Sequence, residues 1–143
     1  MTAAHDDVVE GMRIRSVLER YCSFVDAGAV DELLELFSDD CTLATMGRTL
    51  RGKPEIASLW AAVAPVSRPT TLHALVNPVV SIDGNSATAI SGWAMIDRSG
   101  AGGGARIALA GHYHDTLTRD GDGRWKFTSR RVETIARGPA EAP

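Results

Sequence analysis

Four side chains, Asp26, His73, Tyr21 and Arg130, are of types that could carry acid-base chemistry together. A carboxylate that accepts a proton from one imidazole nitrogen fixes the tautomer and raises the basicity of the other nitrogen, which makes a general base at neutral pH. His73 lies in the apolar run Leu72-His73-Ala74-Leu75-Val76, where an imidazole either packs with its nitrogens satisfied or faces a pocket. Asp26 falls in the last turn of an amphipathic segment, where its charge meets the negative end of a helix dipole. Its plain alternative is a solvated residue beside a helix stop. Tyr21, five residues earlier on the same stripe, is by default a core aromatic whose hydroxyl needs one partner. Within Trp125–Arg131, strict alternation puts Trp125, Phe127, Ser129 and Arg131 on one face and Lys126, Thr128 and Arg130 on the other. One arginine then meets solvent, and the other can point into a concave sheet and stabilise an anion.

A second cluster, His112-Tyr113-His114-Asp115, places the two histidines on one face of a strand and Tyr113 and Asp115 on the other. A His-x-His pair can bind a metal, but Leu117, Thr118 and Arg119 stand where an additional carboxylate ligand would be wanted. No HExxH motif and no Cys/His ligand spacing occurs elsewhere, so no metal is expected. Gly102-Gly103-Gly104 lacks the strand, helix and lysine context of a phosphate-binding loop.

The elements that position these residues are legible from periodicity. From Val8 to Ala27 the apolar residues Ile14, Val17, Leu18, Tyr21, Cys22 and Val25 recur at helical spacing, and Gly28 supplies a stop. A short second helix carries Val30, Leu33, Leu34 and Phe37 before Ser38-Asp39-Asp40 interrupts it. A short strand follows over Cys41 to Met46, with a possible partner between Gly47 and Gly52. A third helix over Glu55 to Val63 has Pro54 in its first turn and Ile56, Leu59, Trp60 and Val63 as its buried stripe. After a loop at Pro65 to Pro69 the period changes to two, giving strands over Thr71–Ile82, Ala87–Asp97, Ile107–Thr118 and Arg124–Ile135. Asp83-Gly84-Asn85 and Asp120-Gly121-Asp122-Gly123 are hairpin turns, Ser99 to Gly104 is a loop, and Gly138 to Pro143 is a loose tail. Three helices followed by antiparallel strands predict an α+β domain whose curved sheet wraps the helices.

At 143 residues with 44% hydrophobic content, the chain has room for one domain and one core. Fifteen basic against eighteen acidic residues, with neither sign in a block, argue against a nucleic-acid partner. The longest apolar stretches, such as Leu59 to Val66, fall short of the roughly 18 to 20 residues that cross a bilayer, and the acidic N-terminus is unlike a signal peptide. No membrane association is expected. Cys22 and Cys41 read as small buried thiols, which fits a reducing cytoplasm.

Taken in order, Tyr21…Asp26-Ala-Gly…Leu33…Leu36-Phe37-Ser-Asp-Asp, Gly52-Lys-Pro-Glu-Ile, His73…Asn77, Asp83-Gly-Asn, Gly111-His-Tyr-His-Asp115 and Asp122-Gly-Arg-Trp-Lys-Phe127…Arg130 resemble the SnoaL-like branch of the nuclear transport factor 2-like superfamily, from about Val8 to Thr134. The resemblance implies one domain over 1–143, with its core at about 8–135. It also implies a cone-shaped mixed or antiparallel sheet closed by three N-terminal helices around a deep pocket. Within the superfamily the chain is most similar to cofactor-free lyases: scytalone dehydratase, bile-acid 7α-dehydratase and hexachlorocyclohexane dehydrochlorinase. The resemblance makes Asp26 and His73 the dyad, Tyr21 the donor to a leaving oxygen or carbonyl, and Arg130 the stabiliser of developing negative charge.

Phe24, Leu43, Trp60, Trp93 and Leu117 would be apolar walls, with Tyr113 and Asp115 also facing the cavity. The implied function is elimination of water or another β leaving group from a small hydrophobic cyclic, polyketide-like or steroid-like molecule, without cofactor. An isomerase or cyclase with the same base is one alternative, and a non-catalytic ligand-binding module is another. A homo-oligomer, dimer or trimer, is implied as well. The chain departs from scytalone dehydratase in having no histidine on the strand Trp93 to Asp97 and Val25 beside Asp26, and from the dehydrochlorinase in carrying Tyr21 where that enzyme has lysine.

Overall fold

The computed structural model describes residues 3–67, 71–99 and 103–139. Helix α1 (Ala3–Ala27) buries Ile14, Leu18, Tyr21, Cys22 and Val25 along one stripe. It starts before the expected Val8 and closes with a Schellman motif. Gly28, at φ 63°, donates to the Val25 carbonyl at 3.1 Å, and Ala29 donates to the Phe24 carbonyl at 3.0 Å. This close fixes the direction in which the last turn presents Asp26.

Helix α2 (Val30–Glu35) ends earlier than its apolar spacing predicts, because Phe37 is claimed by a strand. Strand β1 (Phe37–Thr45) pairs Phe37 with Phe127, and the Phe127 N–H donates to the Leu36 carbonyl at 2.8 Å. Ser38-Asp39-Asp40 therefore lies inside a strand instead of breaking a helix. A turn at Met46-Gly47, both at positive φ, leads to β2 (Arg48–Arg51). Helix α3 (Gly52–Ser67) has Pro54 in its first turn as expected. It runs through Pro65 into the expected loop, since a proline in the closing turn forfeits only one helical hydrogen bond. The rest of that loop, 68–70, is outside the described residues.

Strands β3 (Thr71–Asp83), β4 (Ser86–Ser99), β5 (Gly104–Arg119) and β6 (Trp125–Arg137) complete a six-stranded sheet in the order β2-β1-β6-β5-β4-β3. Among the described residues, only the β1–β6 pair is parallel. The architecture is α+β, as the element order predicts. Ser99 pairs with Gly104, so β4 and β5 reach into the expected loop, of which 100–102 lie outside the described residues. The expected loose tail is tied down at its start. Gly138 donates to the Ala108 carbonyl at 2.8 Å, and Arg106 donates to the Pro139 carbonyl at 2.7 Å. Residues 140–143 are outside the described residues.

Register shifts interrupt three antiparallel ladders at four points: at Asn77-Pro78 in β3, opposite Met95-Ile96 in β5, and at Thr128 and Ile135 in β6. Each extra residue bends its strand and reverses which face the following side chains take. α1 packs on β3, α3 on β1, and the core between them is centred on Phe37, Leu43, Leu117 and Phe127.

Candidate active site

The Schellman close of α1 aims Asp26 at β3, and β3 presents His73. The Asp26 Oδ1 lies 2.6 Å from His73 Nδ1, and the main-chain N–H of His73 donates to Asp26 Oδ1 and Oδ2 at 3.1 and 2.9 Å. The carboxylate thus holds both the ring and the backbone of one residue, which fixes the ring's orientation. Both side chains are mostly buried, at 17% and 15% exposed, so Asp26 is not the solvated helix-end residue of its plain alternative. Among the described residues, His73 Nε2 has no hydrogen-bond partner. An imidazole held at Nδ1 by a carboxylate and open at Nε2 can accept a proton there.

From His73 an aromatic series leads inward. The His73 and Trp93 ring centres are 6.4 Å apart, and Trp93 stacks on Tyr113 at 5.6 Å. Tyr113 meets Tyr21 edge-on at 5.8 Å, and Tyr21 meets Trp60 edge-on at 6.4 Å. Arg130 is wholly buried within this series, its guanidinium carbon 4.0, 3.9 and 4.4 Å from the ring centres of Tyr21, Tyr113 and Phe127. Asp115 grips it in bidentate fashion, accepting from Nε at 2.7 Å and Nη2 at 2.9 Å. That pairing satisfies a buried charge which water cannot reach. Burial pushes the Tyr21 phenol up to about 12 against the opposing pull of Arg130. It also pushes up Tyr113 and the Cys22 thiol. Both tyrosines are therefore hydrogen-bond donors at any ordinary pH.

The position of Arg130 corrects strict alternation. Thr128 is the extra residue of a bulge, with Phe127 opposite Leu117 and Ser129 opposite Thr116, so Phe127 and Arg130 both face inward. Arg131 is the exposed arginine. Of the expected wall residues, the structure brings Trp60, Trp93, Tyr113 and Asp115 around Tyr21 and Arg130, whereas Leu43 and Leu117 are fully buried in the core. Phe24 instead lines a 620 Å³ cavity with Val17, Arg20, Arg124 and Trp125, which neither Asp26 nor His73 borders. Ser91, buried between Ala89 and Trp93, escaped the sequence reading; a polar residue at an inward position of an apolar strand was its signal. His112 and His114 turn outward as alternation predicts, with His114 Nε2 2.7 Å from Glu133 Oε2. Among the described residues, no group of three or more His, Cys, Asp or Glu is placed to hold a metal ion, and no helix is long and apolar enough to cross a membrane. Cys22 and Cys41 are buried free thiols, as expected.

Helices packed on a bent mixed sheet are the fold that this chain shares with solved structures described as nuclear transport factor 2-like and cystatin-like. Within it the chain belongs to the SnoaL-like domain family, whose pattern it matches over residues 11–131. Among solved structures, it is similar to a Mycobacterium tuberculosis protein of unknown function, Rv3472, at 25% identity and a TM-score of 0.85, over 94% of this chain and 77% of that one. A Novosphingobium aromaticivorans protein provisionally named scytalone dehydratase shares 24% identity and a TM-score of 0.80, over 93% and 89% of the two chains. LinA shares 19% identity and a TM-score of 0.83, over 97% and 95%. No curated protein matches the chain.

Proposed function

We propose that the protein is a cofactor-independent lyase, dehydratase-like, acting on a small hydrophobic cyclic molecule of polyketide-like or steroid-like type. The contact that carries this reading is the 2.6 Å Asp26–His73 bond with Nε2 left open. His73 takes the proton next to a carbonyl, and Asp26 stabilises the imidazolium that forms. The Tyr21 hydroxyl donates to the leaving oxygen or the carbonyl. Arg130, its charge balanced by Asp115, offers its remaining donor to developing negative charge. Family membership supports the reading, as do structural neighbours that include a provisionally named scytalone dehydratase and the dehydrochlorinase LinA.

The direct test is a panel of cyclic β-hydroxyketones in deuterated buffer, followed by mass spectrometry. Loss of water with solvent exchange at the α carbon is expected for the native protein and not for His73→Ala or Asp26→Asn. Turnover retained by both variants removes the dyad from the mechanism. Products of unchanged mass with a shifted double bond or a new ring identify the isomerase or cyclase alternative, and saturable binding without exchange identifies a ligand-binding module.

The same reading extends to assembly. The outer sheet face exposes Leu72, Val79, Ile90, Ile107 and Ile135 around His114, Glu133 and Arg131, an apolar field holding both charge signs and so complementary to itself. A second copy of the chain is the occupant we propose. Light scattering should give a multiple of 15.2 kDa that Ile90→Glu reduces to the monomer; a native monomer refutes it.

A further inference from the structure

We propose that Arg130 Nη1, Trp60 Nε1 and Ser91 Oγ form a buried oxygen-acceptor subsite beside the Tyr21–Tyr113 pair, one that takes the carbonyl, enolate or phenolate oxygen of a planar ligand. Each of these atoms is buried and makes no hydrogen bond. Native interiors rarely leave such groups unpaired, so several orphans in one neighbourhood point to an acceptor that enters from outside.

Arg130 borders both rings of the Tyr21–Tyr113 pair, Trp60 borders the first and Ser91 lies opposite the second. Trp60 meets Tyr21 edge-on at 6.4 Å, and the Arg130 guanidinium lies between Tyr21 and Tyr113 at 4.0 and 3.9 Å. Ser91 is the β4 residue directly opposite Tyr113. They come from three separate elements, α3, β4 and β6, so no local hydrogen-bonding requirement of one segment explains them together. Asp115 occupies Nε and Nη2 of Arg130 and leaves Nη1 as its remaining face. Two of the orphans, a guanidinium and an indole N–H, donate only, and the serine hydroxyl can donate as well. The missing partner is therefore rich in lone pairs. The surrounding aromatic rings favour a flat apolar body attached to it.

This subsite rests on the proposed function, because it would hold the oxygen that gains charge when His73 removes a proton. It makes Trp60 and Ser91 specificity-determining residues for the acceptor oxygen. The binding test uses 4-nitrophenol as the probe, whose ionised form is coloured, and turnover is read separately on the cyclic β-hydroxyketones. Native protein should bind it as the phenolate and lower the pH at which its colour appears. Trp60→Phe and Ser91→Ala, checked for folding by circular dichroism, should each weaken phenolate binding about 3- to 10-fold, the worth of one hydrogen bond, and Ser91→Ala, which removes no ring, should leave naphthalene binding unchanged. His73→Ala should abolish turnover yet keep phenolate binding, so failure of the elimination reading and failure of the subsite are told apart. Equal phenolate affinity in native protein and both variants overturns the subsite, as does no native binding at millimolar probe, which would mean that internal water alone satisfies these donors.

Discussion

Asp26 holds His73 by two different handles, accepting from the ring at Nδ1 and from the main-chain N–H of the same residue. The backbone bond secures the strand against the helix end, and the ring bond sets the tautomer. The two roles separate by substitution. Asp26→Asn can keep the backbone contact through its amide oxygen but no longer supplies a charge, so folding should persist while turnover falls by about 10²- to 10⁴-fold. Nitrogen-15 NMR of the ring should show the proton on Nδ1 in the native protein and a mixture of tautomers in the variant. An unchanged tautomer would place the control of the imidazole elsewhere.

Arg130 and Asp115 are both fully buried and neutralise one another. Removing one partner leaves an uncompensated charge in the core, so Asp115→Leu or Arg130→Met should each cost about 3–5 kcal/mol. The double variant Asp115→Leu with Arg130→Met should recover most of that loss, because an apolar pair has no charge to desolvate. Urea unfolding of the three variants measures the coupling, and additive losses would contradict it.

Tyr21 makes the fold sensitive to alkali. Its pKa lies above the ordinary 10.0, at about 12, with burial as the main cause, so the neutral phenol is the form the native state favours. The stabilisation is complete below pH 10 and is lost as pH rises toward 12, where the unfolded chain releases a proton that the folded chain retains. The melting temperature should decline across that interval. Tyr21→Phe should flatten the decline, and an equal slope in the variant would assign it to other groups.

Two glycines should respond oppositely to alanine. A methyl on Gly111 would collide with the Glu133 carbonyl oxygen across the β5–β6 ladder, so Gly111→Ala should cost about 1–3 kcal/mol or more by forcing the strands apart. Gly11, on α1, has nothing within 4 Å of such a methyl, and alanine there should stabilise by about 0.5–1 kcal/mol. Thermal melts of the two variants give the signs directly.

The sequence by itself determined the α+β class, the hairpin turns and the shared face of Tyr113 and Asp115, because these follow from local periodicity and glycine chemistry, while the closeness of Asp26 to His73 was an expectation from a family pattern that only the tertiary structure could measure. The tertiary structure alone decided which face Arg130 takes, since one extra residue at Thr128 reverses the parity of the strand and depends on how β6 meets β5 and β1. It also moved Phe37 from the end of a helix into a strand, where pairing with Phe127 outweighs a short helix's weak propensity. Ser91 and the Asp115–Arg130 clamp were hidden for the same reason: a buried polar group is defined by neighbours far away in sequence, and spacing along one strand carries no record of them.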